Sequence, residues 1–368
     1  MLVFKVDLTF HKLSSLKLLD FYSVEILINK QTNKHTMKNK LLALLASVGL
    51  TASASAVDVN DNLKIQGFLD FSYYNAEAEN GANRLDTQEL EMDEVEIDFL
   101  FNVGDVTGEI HVDNDGSGSE TFDIEQSHFT YSLDNGVSFT FGRFGSALGF
   151  EREDPAGLYT FSRAYGDVNG TSFGSGARAQ SFNFGNVDAN RFHGVNVLYS
   201  ADAFTIGASF VNPDDARQSE DLIETDNLDL ELSIAYSGFE NVNIVAGYYF
   251  NNEDNNSKEE DILNLHVSTT VGKLYLAAEY SEIQTENTSF GDLDAYMVLA
   301  DYDFNDKLGV ALRISSNETN DANEDYDKVT IAPNYAITDS LGAILEYSDI
   351  DQGTTDVNEL ALELTYTF

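Results

Sequence analysis

The chain has no cysteine and no tryptophan, only three prolines, and 20 basic residues against 63 acidic ones. Without cysteine no disulfide can hold the fold, so closure must come from backbone pairing and side-chain packing. Few prolines leave long stretches free to join strand ladders. The formal net charge of -43 speaks against nucleic acid as a partner, because phosphate would be repelled. Long apolar runs are scarce too, and after residue 56 none is long enough for a membrane helix. Hydrophobic residues make up 42% of the chain, the balance of a soluble protein. A barrel whose strands each have one face in water has the same balance.

The longest apolar run lies near the N-terminus. Met37-Lys38-Asn39-Lys40 is a basic start, 41–52 is apolar, and Ala54-Ser55-Ala56 has the A-x-A form of a cleavage site. That pattern predicts a secretory signal peptide over 37–56, cleaved after Ala56. Residues 1–36 read as an upstream extension from a start site set too early, the alternative being a genuine extension lost with the signal. Residues 57–368 then carry 13 basic and 60 acidic side chains, a net charge of -47.

What is present is alternation. In Asn358-Glu359-Leu360-Ala361-Leu362-Glu363-Leu364-Thr365-Tyr366-Thr367-Phe368 the even positions from Leu360 on are apolar and the odd ones small or polar. Period two running to an aromatic last residue suits a strand with one face in lipid and one in water. About sixteen such segments follow one another from residue 63, with gaps short and long by turns. They predict an all-β fold, a transmembrane antiparallel up-and-down barrel, in which no backbone edge stays unpaired in hydrocarbon. Such a fold argues for a pore through an outer membrane.

Strands are expected near 63–73, 94–101, 106–113, 122–133, 137–144 and 191–199, then at ten further segments ending with 357–368. Polar connections are expected at 75–88 and 351–356, among other long ones, and Pro333 predicts a bulge or an early strand end. Short turns go to the periplasmic side and long loops outside. Aromatics near strand ends, including Tyr73, Tyr74, Tyr248 to Phe250, Tyr347, Tyr366 and Phe368, are expected in two girdles at the lipid interfaces. In the second strand Glu94, Glu96 and Asp98 alternate with apolar residues and must line the lumen, since charges do not face lipid cheaply.

The pattern breaks over 145–190. It opens Phe141-Gly142-Arg143-Phe144-Gly145-Ser146-Ala147-Leu148-Gly149-Phe150-Glu151 and continues to Leu158-Tyr159-Thr160-Phe161-Ser162-Arg163-Ala164-Tyr165. This resembles a family of Gram-negative β-barrel porins, in which a strand ending in Gly-basic-Phe leads to a Leu/Ile-Gly-Tyr/Phe-Glu turn and an aromatic-x-x-Ser-Arg step. The match is local to 139–165, while the signal peptide, hairpin spacing and terminal Phe368 extend the likeness to the rest. The resemblance implies a diffusion channel over 57–368, with the long third outer loop, 145–190, folded inward as a constriction.

The residues agree with that placement. A connection this long without a pattern of its own is usually functional. It holds Phe150, Leu158, Tyr159, Phe161, Tyr165 and Phe173, which must pack against something. Arg143, Arg152, Arg163, Arg178 and Arg191 crowd into 49 positions, opposite in sign to Glu94, Glu96, Asp98, Glu109, Asp113, Asp123 and Glu125. Opposed charges across a lumen set up a transverse field that sorts permeants. Salt bridges to Glu151, Glu153 and Asp154 would instead pin the segment, most simply through Arg152. Arg143, Glu151, Arg152, Arg163, Glu94, Glu96 and Asp98 are the expected constriction residues, and Tyr366 with Phe368 the expected assembly signal.

No catalytic residue, metal or cofactor is assigned. Asp113-Asn114-Asp115-Gly116-Ser117-Gly118 looks like the front of a calcium loop, but the twelfth position is Ile124. His111, His128, His193 and His266 are scattered and read as lumen residues. The expected function is an outer-membrane channel of a Gram-negative bacterium, passive and cation-favouring, for small hydrophilic solutes. Its expected partners are outer-membrane lipids and lipopolysaccharide, the barrel-assembly machinery and, as a homotrimer, two further copies. The alternatives are a barrel-borne lipid hydrolase and a structural or adhesive barrel.

Overall fold

Strands that alternate along their whole length leave each sheet face uniform, and a sheet of that kind can close on itself with one face in and one face out. The computed structural model describes residues 56–81, 83–114, 122–151, 155–165, 191–212, 227–251, 260–285, 292–319 and 325–368. The expected signal peptide, apart from Ala56, and residues 1–36 lie outside them.

The strands are β1 (Val57–Asn60), β2 (Leu63–Asn80), β3 (Asn83–Val103), β4 (Val106–Asn114), β5 (Asp123–Ser132), β6 (Val137–Gly145), β7 (Arg191–Ala201), β8 (Phe204–Val211) and β9 (Asp229–Tyr236). They continue with β10 (Val242–Phe250), β11 (Glu260–Val271), β12 (Leu274–Thr285), β13 (Leu293–Asp303), β14 (Leu308–Thr319), β15 (Tyr326–Ala336), β16 (Leu341–Gln352) and β17 (Thr355–Thr367). Each of β2 to β17 pairs antiparallel with its sequence neighbours, and β17 returns to β2 with Leu362 opposite Tyr73. The result is a closed barrel of sixteen strands.

The pleat sorts side chains as the alternation requires. On β17 Leu360 and Leu362 face outward, exposed to 40% and 41%, while Ala361 and Glu363 face inward, at 2% and 1%. Leu312 and Ile314 on β14 and Val329 and Ile331 on β15 continue the outer apolar surface. Short turns cluster at the end where both Leu63 and Phe368 lie. Phe368 exchanges two backbone hydrogen bonds with Gly67, each 3.0 Å long. A Cβ on Gly67 would sit 2.1 Å from the Glu96 carbonyl and 2.9 Å from the Phe368 ring, so only glycine lets the seam close here. Beyond that seam β1 pairs with β2, Val57 opposite Ile65, along the edge that β17 no longer covers.

Four local expectations need correction. The segment 75–88 is not a loose connection: β2 and β3 pair through it to Asn80 opposite Asn83, around Gly81. Its alternation survives in polar form, with Tyr74, Ala76 and Ala78 buried inside and Arg84 bridging Glu77, Glu79 and Asp86 outside. The connection 351–356 is likewise a tight turn at Gly353, since Gln352 already pairs with Thr355. Pro333 makes neither a bulge nor a strand end. β15 runs on to Ala336, and pairing with β16 lapses between Ile331↔Tyr347 and Asn334↔Ile344 without a change of register. The missing N–H of proline accounts for the lapse. Finally, Tyr74 and Tyr249 are not girdle residues. Both point inward and are 1% exposed, whereas Phe204, Phe239, Phe304, Tyr347 and Tyr366 face out.

Candidate functional site: the lumen and the segment after β6

The segment leaves β6 at Gly145 and runs directly against inward-facing side chains of distant strands. Ser146 and the Ala147 amide donate to Glu231 of β9, the latter at 3.0 Å. The Phe150 amide donates to Glu279 Oε1 of β12 at 2.6 Å, and the Tyr165 hydroxyl to Glu279 Oε2 at 3.0 Å. Asn264 of β11 supports the same carboxylate at 2.8 Å. On β16, Glu346 accepts from both the amide and the hydroxyl of Ser162, the amide at 3.1 Å. Wall carboxylates thus satisfy backbone donors of an irregular segment that no ladder could serve.

One ion pair runs the other way. Glu151, on the segment, receives Arg313 Nη1 of β14 at 2.7 Å and the Ala164 amide at 2.6 Å. Arg313 also donates to Thr160 Oγ1 and the Ser162 carbonyl, each at 2.7 Å, and to the Arg163 carbonyl at 2.9 Å. Its side chain is fully buried. Beside it Lys328 of β15 donates to Ser162 Oγ at 2.6 Å and lies 3.4 Å from Glu359 of β17, which also accepts from Tyr74 at 2.7 Å. Buried charges persist only when paired and hydrogen-bonded in this manner.

Apolar packing backs the polar contacts. Leu148, Ala164 and Tyr165 join Phe144, Phe192, Tyr249, Ile262, Met297 and Leu299 in one cluster, with Phe150 and Tyr159 against its edge. Phe161 enters a second cluster with Tyr74, Tyr326 and Ile350, its ring 6.2 Å from that of Tyr74. Gly247 of β10 makes room for the segment, since a Cβ there would stand 2.1 Å from Leu148 Cδ2. Tyr159 stacks on Tyr275 with ring centres 4.9 Å apart.

The described part of the segment thus lies against the inner wall of a closed sixteen-stranded barrel. The family model of the Gram-negative porins matches residues 42–355. The chain belongs to that family. Among solved structures, this porin is similar to the outer-membrane channel DcaP of Acinetobacter baumannii, at 15% identity and a TM-score of 0.60, over 88% of this chain and all of that one. It is similar to an anion-selective porin from Comamonas acidovorans, at 11% identity and 0.59, over 83% and 99%. A trimer form of OmpT from Vibrio cholerae matches at 15% and 0.52, over 83% and 99%. No curated protein sequence matches. Likenesses at these identities show the fold. The protein is an outer-membrane channel, and its selectivity must be read from its own residues.

The expected site residues are placed as follows. Glu96 and Asp98 of β3 are fully buried on the inner wall and Glu94 is half-buried beside Asp70. A bulge at Asp93 separates them from the upper half of β3. Arg143 of β6 donates to the Ile124 carbonyl at 2.7 Å. Arg163 donates to the Glu151 carbonyl within its own segment. Arg152 lies outside the described residues. Tyr366 and Phe368 stack at 6.1 Å near the seam. Arg313, Lys328, Glu231, Glu279 and Glu346 were not singled out by the sequence reading. The signal available for the first two was a basic residue at an inward position, between Leu312 and Ile314 or between Asp327 and Val329.

Proposed function

We propose that this porin passes small hydrophilic solutes and ions by passive diffusion, with cations favoured, through a lumen that 145–190 narrows. The observation that carries the reading is the fixation of the segment's described part to β9, β12, β14, β15 and β16 by buried hydrogen bonds and the Arg313–Glu151 pair. A segment so held is a fixed wall of the passage. Glu94, Glu96, Asp98, Glu109 and Glu125 give the opposite wall its sign, and fixed charge at a narrow, low-dielectric passage acts strongly on ions. Arg143 and Arg163 supply the positive edge of that field. The channel works without chemistry on its solute.

On the same reading residues 37–56 export the chain, the barrel-assembly machinery recognises Tyr366 and Phe368, and the outer apolar face meets lipids and lipopolysaccharide. The trimer form of OmpT supports assembly of three copies. The reversal potential of the refolded protein in a potassium chloride gradient tests the central point. A cation-selective sign is expected, and an anion-selective sign or the absence of channels would refute it.

A further inference from the structure

The acids on the inner face of β3 to β5 also gather round one buried histidine. His111 of β4 is fully buried. Its Nδ1 lies 3.0 Å from Glu96 Oε1 and 3.2 Å from Asp98 Oδ1, and its Nε2 lies 3.3 Å from Glu109 Oε2. Glu125 of β5 completes the group: one ligand atom each from Glu96, His111 and Glu125 lie within 4.8 Å of one another. Local backbone brings this about. His111 pairs with Gln126 and Val112 with Ile124, so Glu125 is the extra residue of a bulge, and such bulges re-aim side chains.

Two further side chains point into the cluster without the partners their burial demands. Gln126 is 3% exposed, its Nε2 lies 3.5 Å from His111 Nδ1, and its Oε1 accepts no hydrogen bond. The His128 side chain is 7% exposed, its Nε2 lies 3.8 Å from Glu109 Oε2, and neither ring nitrogen is hydrogen-bonded. Buried polar atoms are rarely left in this state. Two carboxylates and an imidazole nitrogen this close together, with unpartnered polar atoms buried beside them, are a donor set for a cation.

We propose that Glu96, His111 and Glu125 bind one divalent transition-metal ion, with Zn2+ the simplest occupant, on the wall of the pore. One imidazole among carboxylates suits a borderline metal rather than magnesium or calcium, which take oxygen alone. Three protein ligands leave a fourth position for water or a passing solute. Glu109 on Nε2 is the orienting partner that a ligating histidine takes on its other nitrogen, and it leaves Nδ1 to face the metal. Binding displaces any proton held on Nδ1. Glu125 also holds Arg191, the residue at which 145–190 rejoins the barrel, and a carboxylate has lone pairs for both. Occupancy of the site is thereby coupled to the end of the segment.

The test uses untagged, refolded protein in detergent, stripped with chelator and titrated with zinc chloride in a calorimeter. One saturable site per chain is expected, with His111→Gln and Glu125→Gln each weakening it at least tenfold. Asp261→Asn, far along the chain on β11, should leave it unchanged, and excess Mg2+ should not compete. Each variant is first checked for the heat-modifiable barrel form. Zinc-edge X-ray absorption of the loaded wild type should show an imidazole nitrogen at about 2.0 Å. An oxygen-only shell, no saturable site, or equal affinity in folded His111→Gln would overturn the proposal. None of these outcomes depends on conductance, so failure here leaves the channel reading standing.

Discussion

Two parts of the inner wall use acidic residues to opposite ends. Around β9 to β17 each acid has a donor to hold: Glu231, Glu279 and Glu346 accept from the segment, and Glu359 stands beside Lys328. On β3 to β5 acids gather on one another, with His111 between Glu96, Asp98 and Glu109. Both walls sit at inward positions of the same kind of strand. Charge sign therefore says little about role. The fasteners take donors from the segment, whereas the acids of β3 to β5 crowd round one histidine even where, as at Asp98 and Glu125, they also accept from Gln66 or Arg191. The first wall stabilises a conformation, and the second, on the proposed reading, sets a field.

The sharpest way to break this contrast is Arg313→Met. It strands Glu151 inside the protein, and removing one partner of a buried pair costs about 3–5 kcal/mol. The segment should come loose while the barrel survives, which bilayer recordings would register as larger and noisier steps. A next, smaller effect is expected of Glu346→Gln, which keeps the shape but weakens the hold on Ser162 by about 1–3 kcal/mol. Gly247→Val presses on Leu148 and should cost a similar amount, about 1–3 kcal/mol, as overpacking. Both should lower the temperature at which the channel becomes noisy. On the other wall Glu109→Gln should leave step size alone. It should cut cation-over-anion permeability by about twofold to fivefold, one charge at 4 Å in water being worth about 1 kcal/mol. A change in step size from Glu109→Gln as large as that from Arg313→Met would erase the distinction between the walls.

The strands were legible because their signal is local. Parity alone placed Leu360, Leu362 and Tyr366 outside and Glu359 and Glu363 inside, and the ends of β4, β6, β11 and β15 fell within a residue or so of expectation. Where the outer face is polar and the inner one small, as at Glu77 and Glu79 against Ala76 and Ala78, parity loses contrast and 75–88 reads as a connection. The fasteners were not legible. Arg313 is 162 positions from Glu151 and Glu346 is 184 from Ser162, and nothing local in either stretch names the other. The bulge that turns Glu125 towards His111 is equally silent in a sequence whose alternation simply slips by one.

The most direct measurement is the single-channel conductance of the protein lacking residues 166–186, recorded beside the full-length protein in the same bilayer and salt. With a heat-modifiable barrel confirmed, larger steps are expected if, as proposed, 145–190 narrows the lumen. Steps of unchanged size would place 145–190 outside the path of the ions.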